Sequence, residues 1–134
     1  MTRLRIKKKV MNNMYTYNAE LIRVVDGDTI IAMVDLGFET WKNVNIRLYG
    51  IDAYESRTRD LKEKEKGLQA KQLVQETLDS SNGKFILKSM GLDKYGRSLG
   101  IIKIPNEEAE HGSIDLNQYL VNEGLAVPYY GGKR

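Results

Sequence analysis

The chain has 134 residues, one domain's worth, and its 41% hydrophobic and 29% charged residues allow a real core under an ordinary charged surface. It has no cysteine, which excludes disulfides and thiolate metal sites, and with a single histidine it offers no set of zinc ligands. No apolar run approaches the roughly 20 residues that span a bilayer, so no membrane partner is expected.

The pI near 9.0 points toward nucleic acid less strongly than it first suggests. Residues 1–9 hold five positive charges and no negative one, and the net +3 less these five leaves −2 on the rest. The basicity therefore sits in a tail, taken as residues 1–17, ahead of a nearly neutral domain over 18–134. Such a tail can draw in phosphates, but a solvated terminus has the same composition. No apolar stretch follows it, so it does not read as a secretory signal. The expectation is an intracellular protein of a bacterium or phage.

The first half of the domain reads as strands. Residues 19–25 are apolar-rich and stop at Asp26-Gly27, a turn signal. Residues 29–35 are β-rich, and Leu36-Gly37 turns them into a third strand. There Val44, Ile46 and Leu48 alternate with Asn45, Arg47 and Tyr49, which gives one buried and one polar face. Trp41 is expected on or near this strand. Residues 56–66 are charged, apolar only at Leu61, and are expected to form a mobile loop. Ala70, Leu73, Val74, Thr77 and Leu78 then recur at the spacing of one helical face, and Ser80-Ser81-Asn82-Gly83 ends it. Residues 85–90 and 97–104 predict two further strands joined by Asp93-Lys94-Tyr95-Gly96. His111 falls in a polar loop. A second helix is expected from near Ser113, with Leu116, Tyr119 and Leu120 inward and Gly124 closing it. Five strands with a helix after the third predict a mainly β fold with helices (α+β), a five-stranded OB-type β-barrel with two or three α-helices.

Three segments hold acids and arginines. Val25-Asp26-Gly27-Asp28-Thr29 puts two carboxylates around a glycine, which alone is an ordinary hairpin turn. Residues 46–55 carry Arg47 on the polar face of a strand, Gly50 at its end, and Asp52 and Glu55 just beyond. Asp93-Lys94-Tyr95-Gly96-Arg97 places an arginine where a turn enters a strand. Together they supply oxygen ligands for a hard cation, two forked donors matched to phosphate oxygens, and a spare carboxylate to accept a proton. That is a parts list for metal-assisted phosphodiester hydrolysis.

In order and spacing these segments, with Ser98-Leu99 after the third, resemble the signature segments of the staphylococcal nuclease family. Gly124-Leu125-Ala126 is similar to its short motif after the last barrel helix. The resemblance runs from about residue 19 to residue 130. It implies that Asp28, Asp52 and the main-chain carbonyl of Ala53 hold Ca²⁺, that Arg47 and Arg97 clamp phosphate, and that Glu55 is the catalytic glutamate. It further implies that Lys94 and Tyr95 lie near the terminal phosphate of a bound nucleotide, and that Tyr129 or Tyr130 lines the base pocket. Two positions depart from the family: Tyr54 stands where proline would fix φ before the glutamate, and Ala53 stands for a threonine.

The activity so implied is calcium-dependent hydrolysis of DNA and RNA, with little sequence specificity and 3′-phosphate products, by a monomer or weak homodimer. The alternative is a catalytically silent nucleic-acid- or protein-binding module on the same barrel. The joint presence of Asp28, Arg47, Asp52, Glu55 and Arg97 favours the enzyme, because carboxylates facing phosphate without a metal would be a liability.

Overall fold

The computed structural model describes residues 15–130. Among them are eight strands: β1 (Thr16–Asp26), β2 (Thr29–Asp35), β3 (Trp41–Leu48), β4 (Ile51–Ala53), β5 (Lys84–Leu92), β6 (Ser98–Pro105), β7 (Ser113–Asp115) and β8 (Ala126–Pro128). Two helices accompany them, α1 (Leu61–Asp79) and α2 (Leu116–Asn122). No described helix is long and apolar enough to cross a membrane.

Alternation dictates the curl of the sheet. In β2, Ile30, Ala32 and Val34 are buried while the residues between them are not, and Ile46 and Leu48 on β3, Phe85 and Leu87 on β5, and Ile102 and Ile104 on β6 repeat the pattern. The strands run in the order β3-β2-β1-β5-β6-β7. β1 reaches both β2 and β5 because its pairing with β2 shifts register between Leu21 and Arg23 and again between Val24 and Asp26, which bends the strand. β3 then pairs in parallel with β6, Ile46 to Ser98 through Leu48 to Gly100, and the five strands close into a barrel. At this seam Gly100 leaves space for its neighbours, since a Cβ there would meet the Leu87 side-chain methyl and come within 3.2 Å of Ile46. The expected five-stranded OB-like α+β architecture is what forms.

The helices cap the barrel. Ala70, Val74 and Leu78 of α1 and Leu116 and Leu120 of α2 are fully buried in the core. Burying each of these valine and leucine side chains is worth roughly 1.5–3 kcal/mol. A polar link joins α2 to the seam: the Asn117 amide donates to the carbonyls of Tyr49 (2.9 Å) and Gly100 (3.0 Å), and its oxygen accepts from the Ile102 N–H (3.2 Å).

Local readings are corrected at four places. The loop expected over residues 56–66 is helical from Leu61, because the Asp60 carboxylate accepts from the N–H groups of Lys62 (3.0 Å) and Glu63 (3.3 Å) and so caps the first turn. The helix expected from Ser113 begins at Leu116; residues 113–115 instead extend the sheet as β7, and Asp115 caps the helix from its end. The short β4–β8 pairing was not foreseen. Thr16 and Tyr17, assigned to the tail, pair with Lys88 and Leu87, and the rest of that tail, residues 1–14, lies outside the described residues. Trp41 opens β3 and is 43% exposed, and His111 lies in the exposed turn ahead of β7.

Candidate active site

The β1–β2 hairpin brings the first carboxylate into place. Asp26 pairs with Thr29, so Gly27 and Asp28 form the whole turn. Gly27 presses onto its surroundings, for a Cβ there would lie 2.6 Å from Ala70 Cβ and 3.1 Å from Ala53 Cβ. The turn is thus seated on α1 and β4, and Asp28 is held from several sides. Its Oδ1 accepts from the Thr29 hydroxyl (3.1 Å) and its Oδ2 from the Ala53 N–H (3.0 Å).

Arg47 faces Thr29 across the β2–β3 ladder, which points it toward the same end of the barrel. Its guanidinium meets Asp28 Oδ2 at 3.3 Å and Asp52 Oδ1 at 3.3 Å, and it also donates to the Leu48 carbonyl at 3.3 Å. The three side chains are only 12–15% exposed. A charge so far removed from water needs partners, and Asp28 and Asp52 each supply one to the guanidinium. Asp52 reaches this position because β4 buries Ile51 and Ala53 on its other face. β8 fixes that strand, pairing Ala53 with Ala126, and the Tyr129 N–H adds a bond to the Gly50 carbonyl (2.8 Å).

Arg97 arrives by a different route. Asp93 opens the β5–β6 turn, and one of its oxygens accepts from the N–H groups of Tyr95 (2.9 Å) and Arg97 (2.8 Å). Its other oxygen takes Nε of Arg97 at 2.7 Å. Burial alone would raise the Asp93 pKa, but the bonds from the Arg97 backbone and guanidinium and from the Tyr95 N–H outweigh it and hold the carboxyl below the usual range. Gly96 takes φ +80° inside this turn, a conformation that suits glycine.

One cleft of about 390 Å³ is lined by Asp28, Arg47, Asp52, Ala53, Glu55 and Arg97. Every metal, arginine and glutamate position named from sequence therefore borders the same space, with Glu55 exposed on the loop after β4. A second concavity of about 430 Å³ shares Arg47, Asp52 and Arg97, and adds Lys94, Tyr95, Tyr129 and Tyr130. Tyr130 meets Tyr49 edge to face, with ring centroids 5.8 Å apart, and the Tyr95 ring lies under Lys94 (5.3 Å) and Arg97 (5.6 Å). Both Tyr129 and Tyr130 border this pocket, so the choice between them stays open.

Among the described residues no three histidine, cysteine or acidic side chains form a ready-made metal cage. The donors that do converge, the carboxylates of Asp28 and Asp52 about Arg47, are hard oxygen ligands. That chemistry fits a hard cation taking the rest of its shell from water and substrate, and suits neither zinc nor copper.

Sequence reasoning assigned no role to Asp93, Tyr49 or Asn117. Asp93 was legible in principle, because an Asp at the head of a turn with arginine four residues on is an Asx-turn signal. Tyr49 and Asn117 become visible only when the barrel closes.

The fold and site together define an OB-like α+β barrel with an arginine- and carboxylate-lined cleft at one end. The chain belongs to the staphylococcal nuclease family: the family model described as Staphylococcal nuclease homologue matches residues 45–134. Among curated proteins it is 29% identical over 120 residues to a Micrococcal nuclease of Shigella flexneri, covering 87% of this chain and 62% of that protein. It is 28% identical over 120 residues to a Thermonuclease of Staphylococcus hyicus, covering 90% and 64%. The chain thus spans less than two thirds of the length of either relative.

Proposed function

We propose that the chain is a calcium-dependent phosphodiesterase that hydrolyses DNA and RNA. The observation that carries this reading is the convergence of two arginines, two aspartates and Glu55 on one cleft. Nuclease is also the activity in the names of both relatives.

In this reading Arg47 and Arg97 bind non-bridging oxygens of the scissile phosphate. Asp93 engages Arg97 through Nε, which sets the plane of the guanidinium before substrate arrives. Donors fixed in advance lower a barrier when they bind the pentacoordinate state better than the ground state, where charge on phosphorus oxygens is smaller. Glu55 accepts a proton from the attacking water, and the water oxygen bonds to phosphorus as the phosphorus–O5′ bond breaks. The leaving O5′ takes a proton from solvent to become a hydroxyl, and the 3′ side keeps the phosphate. Asp28, Asp52 and the Ala53 carbonyl are the groups that would hold Ca²⁺, which when bound neutralises phosphate charge. Lys94, Tyr95 and the tyrosine pair Tyr129 and Tyr130 line the neighbouring pocket and bind the adjoining nucleotide.

The test is cleavage of single- and double-stranded DNA and of RNA across a Ca²⁺, Mg²⁺ and EDTA series. Cleavage with Ca²⁺ that EDTA abolishes is expected, with 3′-phosphate ends. Binding without cleavage under every metal condition would leave the silent module in its place.

A further inference from the structure

Glu55 lies on the segment between β4 and α1, where Tyr54 occupies a position that proline would have stiffened. Something else must fix its backbone. We infer that α1 is the brace that positions Glu55, with Gly67 as the point of contact and Lys66 as a clamp; this rests on Glu55 being the base proposed above.

Glycine is a poor helix former, yet Gly67 lies buried in the interior of α1. The reason is a close approach. A Cβ at this position would overlap the carbonyl carbon and oxygen of Glu55 and come within 2.5 Å of Ser56 N. The Glu55–Ser56 peptide therefore rests on bare helix backbone, at a distance that no other residue type allows. On either side of this contact the segment is pinned again. Lys66, the preceding residue on α1, holds its ammonium 4.9 Å from the centroid of the Tyr54 ring, a cation–π contact. The Tyr54 N–H donates to the Leu125 carbonyl (3.4 Å), and the buried Ser56 hydroxyl donates to Asp26 Oδ1 (2.8 Å). The peptide that carries the base is thus seated on the helix, and its neighbours are tied to the helix, to the start of β8 and to the aspartate turn.

Gly67 and Lys66 stand apart from the arginines and the tyrosine pocket, so moving them should disturb the base and spare substrate binding. A general base works within hydrogen-bond reach of its water, and a misplacement of about 1 Å can cost on the order of 100-fold. Gly67→Ala must displace the Glu55–Ser56 peptide. It is expected to lower kcat by roughly 10- to 100-fold with KM within about twofold. Lys66→Met, which keeps the chain length but removes the cation, is expected to lower kcat several-fold, and Lys66→Arg to restore it.

The experiment measures kcat, KM and Tm for these three variants beside wild type and Glu55→Gln. A fall in kcat alone, with recovery in Lys66→Arg, supports the brace; wild-type kcat in folded Gly67→Ala and Lys66→Met overturns it while leaving the catalytic reading intact. Should Gly67→Ala fail to fold, the Lys66 pair decides by the same criterion. A wild type that does not cleave, or a Glu55→Gln variant that cleaves equally well, removes the catalytic reading and the inference with it.

Discussion

Arg47 contacts both Asp28 and Asp52, and each of the three side chains is mostly shielded from water. Removing one member leaves a poorly solvated charge behind, so Arg47→Met should cost stability as well as phosphate binding. Glu55 is exposed, and its substitution should separate chemistry from folding. Glu55→Gln is expected to reduce kcat by about 10²–10⁴-fold with nearly unchanged Tm and DNA affinity, measured in the same buffer. Arg97→Lys keeps the charge but loses the Nε bond to Asp93 and the planar fork, so its kcat/KM should fall even though its net charge does not. Asp93 itself has a lowered pKa in the folded chain. A carboxylate shifted this way adds stability above its unfolded pKa, and that contribution disappears as pH falls through the lower folded value. An NMR titration of the Asp93 carboxyl should therefore find its midpoint below the ordinary aspartate range, and the Tm difference between wild type and Asp93→Asn should shrink toward acid pH. A midpoint at or above the usual range would contradict the hydrogen bonding assigned to it.

Elements explain both what the sequence disclosed and what it withheld. A strand with strict alternation, such as Val44-Ile46-Leu48, is legible because period two has one physical meaning. The first turns of α1 were not, because residues 61–66 carry mostly charge and little apolar signal, and their helical state depends on the Asp60 cap and on the packing of the later turns. Residues 113–115 were mistaken for helix because Asp115 works twice, ending a strand and capping the next helix. β4 and β8 are three residues each, too short to carry a period, and only their mutual pairing defines them. The candidate site was legible as a set of letters, yet the letters alone could not say that Arg47 bridges Asp28 and Asp52, since that contact spans two strands and a turn. Asn117 makes a prediction at this scale. Asn117→Ala would strip partners from the Tyr49 and Gly100 carbonyls and the Ile102 N–H, and should destabilise the fold by about 1–3 kcal/mol in denaturant titrations. A change within about 0.5 kcal/mol would show that the seam does not need this link.

At the scale of the whole molecule, barrel closure makes a site from distant stretches of chain. The β1–β2 turn, the β3–β4 junction and the β5–β6 turn are far apart in sequence, and the parallel pairing of β3 with β6 draws Arg47 and Arg97 onto one rim. Steric fit reinforces this, since Gly27 and Gly67 each stand where a side chain would force the elements apart. Under the proposed function, the near-neutral domain makes local arrangement, rather than overall charge, the source of phosphate recognition. The most direct test of the proposal that this rim is a calcium-dependent catalytic site is a cleavage time course on labelled DNA with wild type and Glu55→Gln, each with Ca²⁺ and with EDTA. Rapid cleavage only by wild type with Ca²⁺, leaving 3′-phosphate ends, is the expected result; equal rates for the two proteins, or rates indifferent to EDTA, would contradict it.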